Sequence, residues 1–159
     1  MKLTSMISCL TFAICCAGLI ACTSDKKFDV EKEKTILLKL DAQMRENHFS
    51  KNARGMSEGF SPDFIELNRG KMGHRSEEQA FERFEKYFNS VDFIKWDNNQ
   101  DPVVRFSDDG SVAYMMVDKE VIVKQLEDGV IDTTVFTWMS VFKKVNGKWI
   151  LDAVASTNN

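Results

Sequence analysis

Residues that could do chemistry are few and scattered along this chain. The two histidines, His48 and His74, stand apart, and no H-x-x-x-H or comparable ligand spacing occurs, so the sequence offers no recognisable metal site. His74 lies just ahead of a helix start at Ser76, where the positive end of the helix would keep an imidazole neutral and useful as a base at a cavity mouth. His48 extends an apolar helix stripe and reads as a packing residue. The sharpest candidate is Lys119. Counting back from the turn at Asp128-Gly129 sets it opposite Trp138, where an ammonium over the indole could meet the head of an anionic ligand. The plainer alternative is a lysine that snorkels to water. Trp96, Phe136 and Trp138, beside the small Ala153 and Ala155, supply an apolar wall. The candidate ligand pocket is therefore Trp96, Lys119, Phe136, Trp138, Ser140 and His74, with no catalytic residue and no cofactor assigned.

These side chains depend on the stretch from Val103 to Thr157, four extended runs joined by Asp109-Gly110, Asp128-Gly129 and Asn146-Gly147. Each dipeptide suits a two-residue turn whose twist matches the flanking strands, which predicts an antiparallel meander. Pairing counted outward from the turns sets Phe106 against Ala113, Met115 against Phe142, Val121 against Phe136, Phe142 against Leu151 and Ser140 against Ala153. One face then collects Val104, Phe106, Met115, Val117, Trp138, Phe142, Trp149, Leu151, Ala153 and Ala155, and must be the side covered by helices. The other carries Arg105, Tyr114, Asp118, Glu120, Lys143 and Asp152 among Val103, Met116, Met139, Val141, Ile150 and Val154. That mixture is too apolar to be wholly wet, and a homodimer through this outer sheet face is the expectation.

Ahead of the meander, Ile36, Leu37, Leu40 and Met44 fall on one stripe and predict a helix from about Val30 to Phe49. A short helix within Ser50 to Met56, a strand from Asp63 to Leu67 and another through Met72 follow. Ser76 with Gln79 forms a capping box before Phe81, Phe84 and Phe88, a stripe that reads as core. Phe93, Ile94 and Trp96 then run extended. Acid–base groups on the core side of the long strands are lacking. Asp63, Glu66, His74 or Asp41 of the first helix remain the sources from which one could come.

The four cysteines, Cys9, Cys15, Cys16 and Cys22, all lie in or beside an N-terminal apolar run, which leaves none for a disulfide framework in the folded part. Lys2 followed by Met6 to Ile20 reads as a secretory signal. Leu19-Ile20-Ala21-Cys22 resembles the bacterial lipobox, which implies cleavage after Ala21 and lipidation, palmitate included, of Cys22. The division expected is a signal peptide over 1–21, a polar tether over 22–29 and one domain over 30–159. Acyl chains on Cys22 would anchor it firmly, each buried methylene contributing about 0.8 kcal/mol. Thr23 after the cysteine, rather than Asp, points to the outer membrane of a bacterial cell envelope. Removing residues 1–21 takes away Lys2 and no acid, moving the formal charge from −3 to −4, which disfavours nucleic acid as a partner.

The order of elements, with Asp101-Pro102-Val103-Val104-Arg105-Phe106-Ser107-Asp108-Asp109-Gly110-Ser111 and Asn146-Gly147-Lys148-Trp149-Ile150, resembles the nuclear transport factor two-like superfamily, which includes ketosteroid isomerases and SnoaL-like cyclases. The resemblance implies an α+β fold in which N-terminal helices pack on a strongly curved antiparallel sheet forming a cone, a cystatin-like α-β roll. Fold alone does not assign an activity. The reading is a membrane-anchored lipoprotein whose domain binds a small, largely apolar or anionic ligand or serves as an interaction module, without catalysis. The alternatives are a SnoaL-like isomerase, dehydratase or cyclase with acid–base residues in the cone, and a partner-protein module with a filled cone.

Overall fold

Helix α1, Val30–Phe49, begins where the Asp29 carboxylate accepts from the Lys32 amide at 3.1 Å, with Glu31 and Glu33 in its positively polarised first turn. The computed structural model describes residues 28–158. A short α2, Ala53–Ser57, follows the Asn52 cap, and α3, Glu77–Phe88, starts from the expected capping box between Ser76 and Gln79. Seven strands complete the domain: β1 Phe60–Asn68, β2 Lys71–His74, β3 Val91–Asn98, β4 Val103–Phe106, β5 Val112–Gln125, β6 Ile131–Val145 and β7 Lys148–Asn158.

The strands form one sheet in the order β2-β1-β7-β6-β5-β3, with β4 pairing β5 alongside β3. This corrects the expected strongly curved antiparallel cone. The sheet is open, with β2 at one edge and β3 and β4 at the other, and it is mixed, because β1 runs parallel to β7. Its two edges do not pair with each other, so the sheet is not closed on itself.

Two details of register also differ from a strict count. The β5–β6 connection is a four-residue loop, closed by Gln125 and Val130, so that Lys119 pairs with Phe136 and Val117 with Trp138. A shift of two keeps every side chain on its side. The second change does not. A bulge in β7 at Asp152 leaves Phe142 opposite Leu151 but sets Val141 opposite Ala153 and Ser140 opposite Val154. Beyond it Ala153 and Ala155 turn outward and Val154 turns inward onto the core, reversing the sides expected for all three. The Asp152 carboxylate itself reaches Lys143 on the outer side at 2.7 Å.

Between helices and sheet lies a core of Leu37, Phe64, Val104, Ala113, Met115, Val117, Phe142, Trp149 and Leu151. A fully buried large apolar side chain of this kind contributes about 1.5–3 kcal/mol. Phe88 closes a smaller cluster with Ala53 and Met56, and the half-buried Phe81 and Phe84 pack against it.

Candidate functional site

Helix α1 turns an unexpected set of side chains toward the sheet. Its buried positions are Glu33, Leu37, Asp41, Asn47 and His48, so three ionisable groups share the face that packs inward. Asp41 meets Lys119, which projects from β5 and is only 1% exposed; Nζ lies 3.1 Å from Asp41 Oδ1 and 3.3 Å from Oδ2. Asn98 at the end of β3, the backbone partner of Lys119, donates to Asp41 Oδ2 at 2.8 Å. Its own Oδ1 is buried without a hydrogen-bond partner.

Aromatic rings enclose the lysine. Nζ lies 3.6 Å from the Trp96 ring centroid and 5.7 Å from that of Trp138, a cation–π contact within the expected range. His48 stacks on Trp96 with centroids 4.2 Å apart and meets Phe88 and Phe93 edge-on. Burial pushes the Lys119 ammonium below its ordinary pKa against the pull of Asp41, and pushes His48 down to about 4. The neutral His48 donates from Nδ1 to the Met44 carbonyl at 2.7 Å, leaving Nε2 as the acceptor nitrogen.

A second buried pair closes the other end of α1. Glu33 accepts from Lys144 Nζ at 2.6 Å and from Trp149 Nε1 at 2.8 Å, and the lysine bond, ahead of the opposing burial, holds its carboxyl below the usual range. These contacts fasten α1 to β6 and β7. Among the described residues no cluster of His, Cys, Asp and Glu is arranged to hold a metal ion.

Of the candidate pocket residues, the structure brings Trp96, Lys119 and Trp138 together, with Phe136 beside Trp138 at 6.4 Å between centroids. Ser140 is buried further along β6. His74 is exposed on β2, at the sheet edge opposite β3, and takes no part in this cluster. Lys119 does not snorkel, and its indole contact is chiefly with Trp96. Cys22 lies outside the described residues. Asp41 was expected only as a possible source of an interior acid and His48 only as a packing residue, and both are buried on that side of α1; Asn98 was not expected here. The signal for the first two was the spacing Glu33, Leu37, Asp41, with His48 a further seven residues on, which keeps all four near one side of a helix.

A cavity of ligand size lies elsewhere. About 800 Å³ opens on the outer sheet face, and neither Asp41, Lys119, His48 nor Asn98 lines it. Its floor is one cross-strand row: Met72 pairs with Leu67, Leu67 with Ala155, Ala155 with Met139, Met139 with Met116 and Met116 with Val103. Five of these six are exposed large apolar residues, Met72 the most so at 70%. The outward turn of Ala155 at the β7 bulge completes the row. Thr157, Thr137 and Asp118 form a polar row on one side of it, and the Asp118 carboxylate accepts from the Asn99 amide at 3.0 Å and the Gln100 amide at 3.4 Å. The β1–β2 hairpin tip and residues 100 and 101 of the β3–β4 loop frame the trough.

No family profile and no curated protein matches the sequence. Solved structures do match the fold. A nuclear transport factor two-like superfamily protein of Salmonella enterica serovar Typhimurium is 13% identical with a TM-score of 0.69, covering 81% of this chain and 92% of that one. A hexachlorocyclohexane dehydrochlorinase of Novosphingobium barchaimii is 11% identical with a TM-score of 0.69, covering 81% and 88%. A ketosteroid isomerase-like protein of Erwinia carotovora is 10% identical with a TM-score of 0.61, covering 80% and 96%. The fold is therefore the one shared by these nuclear transport factor two-like and ketosteroid isomerase-like structures. At these identities the likeness defines the fold and carries no activity with it.

Proposed function

We propose that this chain is a lipid-anchored protein of the bacterial cell envelope that binds a small, largely apolar ligand on the outer face of its sheet and performs no catalysis. The observation that supports this is the separation of cavity and ionisable cluster. The open space of ligand size is floored by Met, Leu, Val and Ala side chains, while the acid and base groups facing the helices are consumed by one another. Asp41 already accepts from Lys119 and Asn98, and Lys119 is covered by Trp96. An exposed apolar row of this extent marks a binding surface rather than an ordinary wet sheet face. Methionine suits such a surface, because its unbranched, polarisable side chain adapts to ligand shape.

A catalytic reading has one observation behind it, the placement of Asp118 and Asp101 along the trough. Against it stands Asp118's engagement with two side-chain amides, which occupies both of its carboxylate oxygens.

Native mass spectrometry of the chain purified from its own host tests the reading. A retained small-molecule mass that disappears in Met139→Glu, together with a diacylglyceryl mass on Cys22, agrees with it. A bare protein without either addition contradicts it.

A further inference from the structure

The trough is electrically one-ended. Arg69, in the turn at the β1–β2 tip, lines the trough beside Met72; it is exposed and has no ion-pair partner among the described residues, whereas Lys71 pairs with Asn68 and so alternates to the other side of β2. At the β4 end, ahead of Val103 in the chain, the lining includes Asp101, while Asp118 belongs to the polar row alongside. Between the ends runs the uninterrupted apolar row, crossing from β2 through β1, β7, β6 and β5 to β4. Five inter-strand spacings of about 4.8 Å make it about 24 Å long, the reach of an extended acyl chain of roughly sixteen to eighteen carbons.

We propose that the trough is a site for one long-chain fatty acid, its carboxylate held by Arg69 and its methyl end lying against Met116 and Val103. This rests on the reading that the outer face is the binding surface and specifies its ligand. An arginine at one end gives a carboxylate charge-assisted hydrogen bonds, and Asp101 at the other repels it, so charge fixes the direction in which the chain lies. The polar row of Thr137, Thr157 and Asp118 limits sideways slip, since an alkyl chain gains nothing by covering hydroxyls. A carboxylate is also better matched than a neutral amphiphile, because Arg69 has no internal ion-pair partner to give up.

The test uses the full chain in nanodiscs of neutral phosphatidylcholine and photoreactive sixteen-carbon probes, an acid and the corresponding alcohol, each with a diazirine at either end. The acid with a distal diazirine should mark Val103 and Met116, and the acid with a proximal one should mark residues 69–72. R69E should lower acid labelling by about tenfold and leave alcohol labelling unchanged. Equal labelling by acid and alcohol, indifferent to R69E, overturns the fatty-acid assignment while leaving the trough as a binding surface. Labelling by both probes that survives Met139→Glu overturns the trough reading itself. An unlabelled trough in a chain that sediments as a dimer, with Met139→Glu restoring the monomer, assigns the face to a second copy and also overturns the proposal.

Discussion

Replacing Lys119 by Met keeps most of the side chain's bulk against Trp96 and removes only the charge. Asp41, 6% exposed, would then retain a single donor, Asn98, and sit as an uncompensated carboxylate between α1 and the sheet. Breaking a buried ion pair in this way costs about 3–5 kcal/mol, a large share of the total stability of a domain this size. Asp41→Leu alone should cost a similar amount by stranding the ammonium. The double variant, Asp41→Leu with Lys119→Met, replaces a desolvated pair with apolar packing and should return to within about 1–2 kcal/mol of the parent. Urea unfolding of all four proteins at pH 7 gives the cycle directly. A cost below about 1 kcal/mol for Lys119→Met would refute the reasoning, because it would mean that the ammonium is solvated and that the helix–sheet interior is open to water.

Other outcomes follow from the same geometry. The folded His48 titrates near 4 against an ordinary 6.5 because burial disfavours the imidazolium, so the unfolded chain binds more protons between those values. Stability should be insensitive to this group above pH 6.5 and fall by about 3 kcal/mol as pH drops from 6.5 to 4, a slope that His48→Gln removes in a urea series across that range. Gly110 has φ +67° and lies beneath the Phe28 ring, so Gly110→Ala should lower stability by about 2 kcal/mol or more in thermal melts. Glu33→Gln weakens the contacts from Lys144 and Trp149 and should cost about 1–3 kcal/mol, with a change in Trp149 fluorescence.

Much of the fold was legible because it is written in local chemistry. The capping box at Ser76 placed α3 to the residue, and the turns at Asp109-Gly110 and Asn146-Gly147 set Phe106 against Ala113 and Phe142 against Leu151. What local chemistry does not encode is an inserted residue. The bulge at Asp152 carries no Gly or Pro to announce it, yet it reverses the sides of Ala153, Val154 and Ala155 and so builds the outer row. Nor does the sequence around Asp128-Gly129 reveal that four residues, not two, make the turn.

The candidate site was half legible for a related reason. Lys119, Trp96 and Trp138 lie on strands, where alternation assigns a side, and they meet as their sides require. His48 was legible as an extension of the α1 stripe, but Asp41 was not settled, because Ile36 and Leu40 suggest a somewhat different inward stripe; the helix instead turns so that Glu33 and Asp41 reach Lys144 and Lys119. The partners are distant in sequence, and only the packed structure shows that the charges compensate. The openness of the sheet is likewise a property of how the edge strands β2 and β3 sit, which no single segment specifies.

Methyl NMR on the chain labelled at its methionines separates the two faces in one titration. Met72, Met116 and Met139 lie on the outer row, whereas Met115, next in sequence to Met116, is fully buried on the inner side and Met44 and Met56 pack with the helices. On adding hexadecanoic acid, the three outer methyl resonances should shift together while Met44, Met56 and Met115 stay in place. Shifts confined to Met44 and Met115 would put the ligand between helices and sheet and contradict the account.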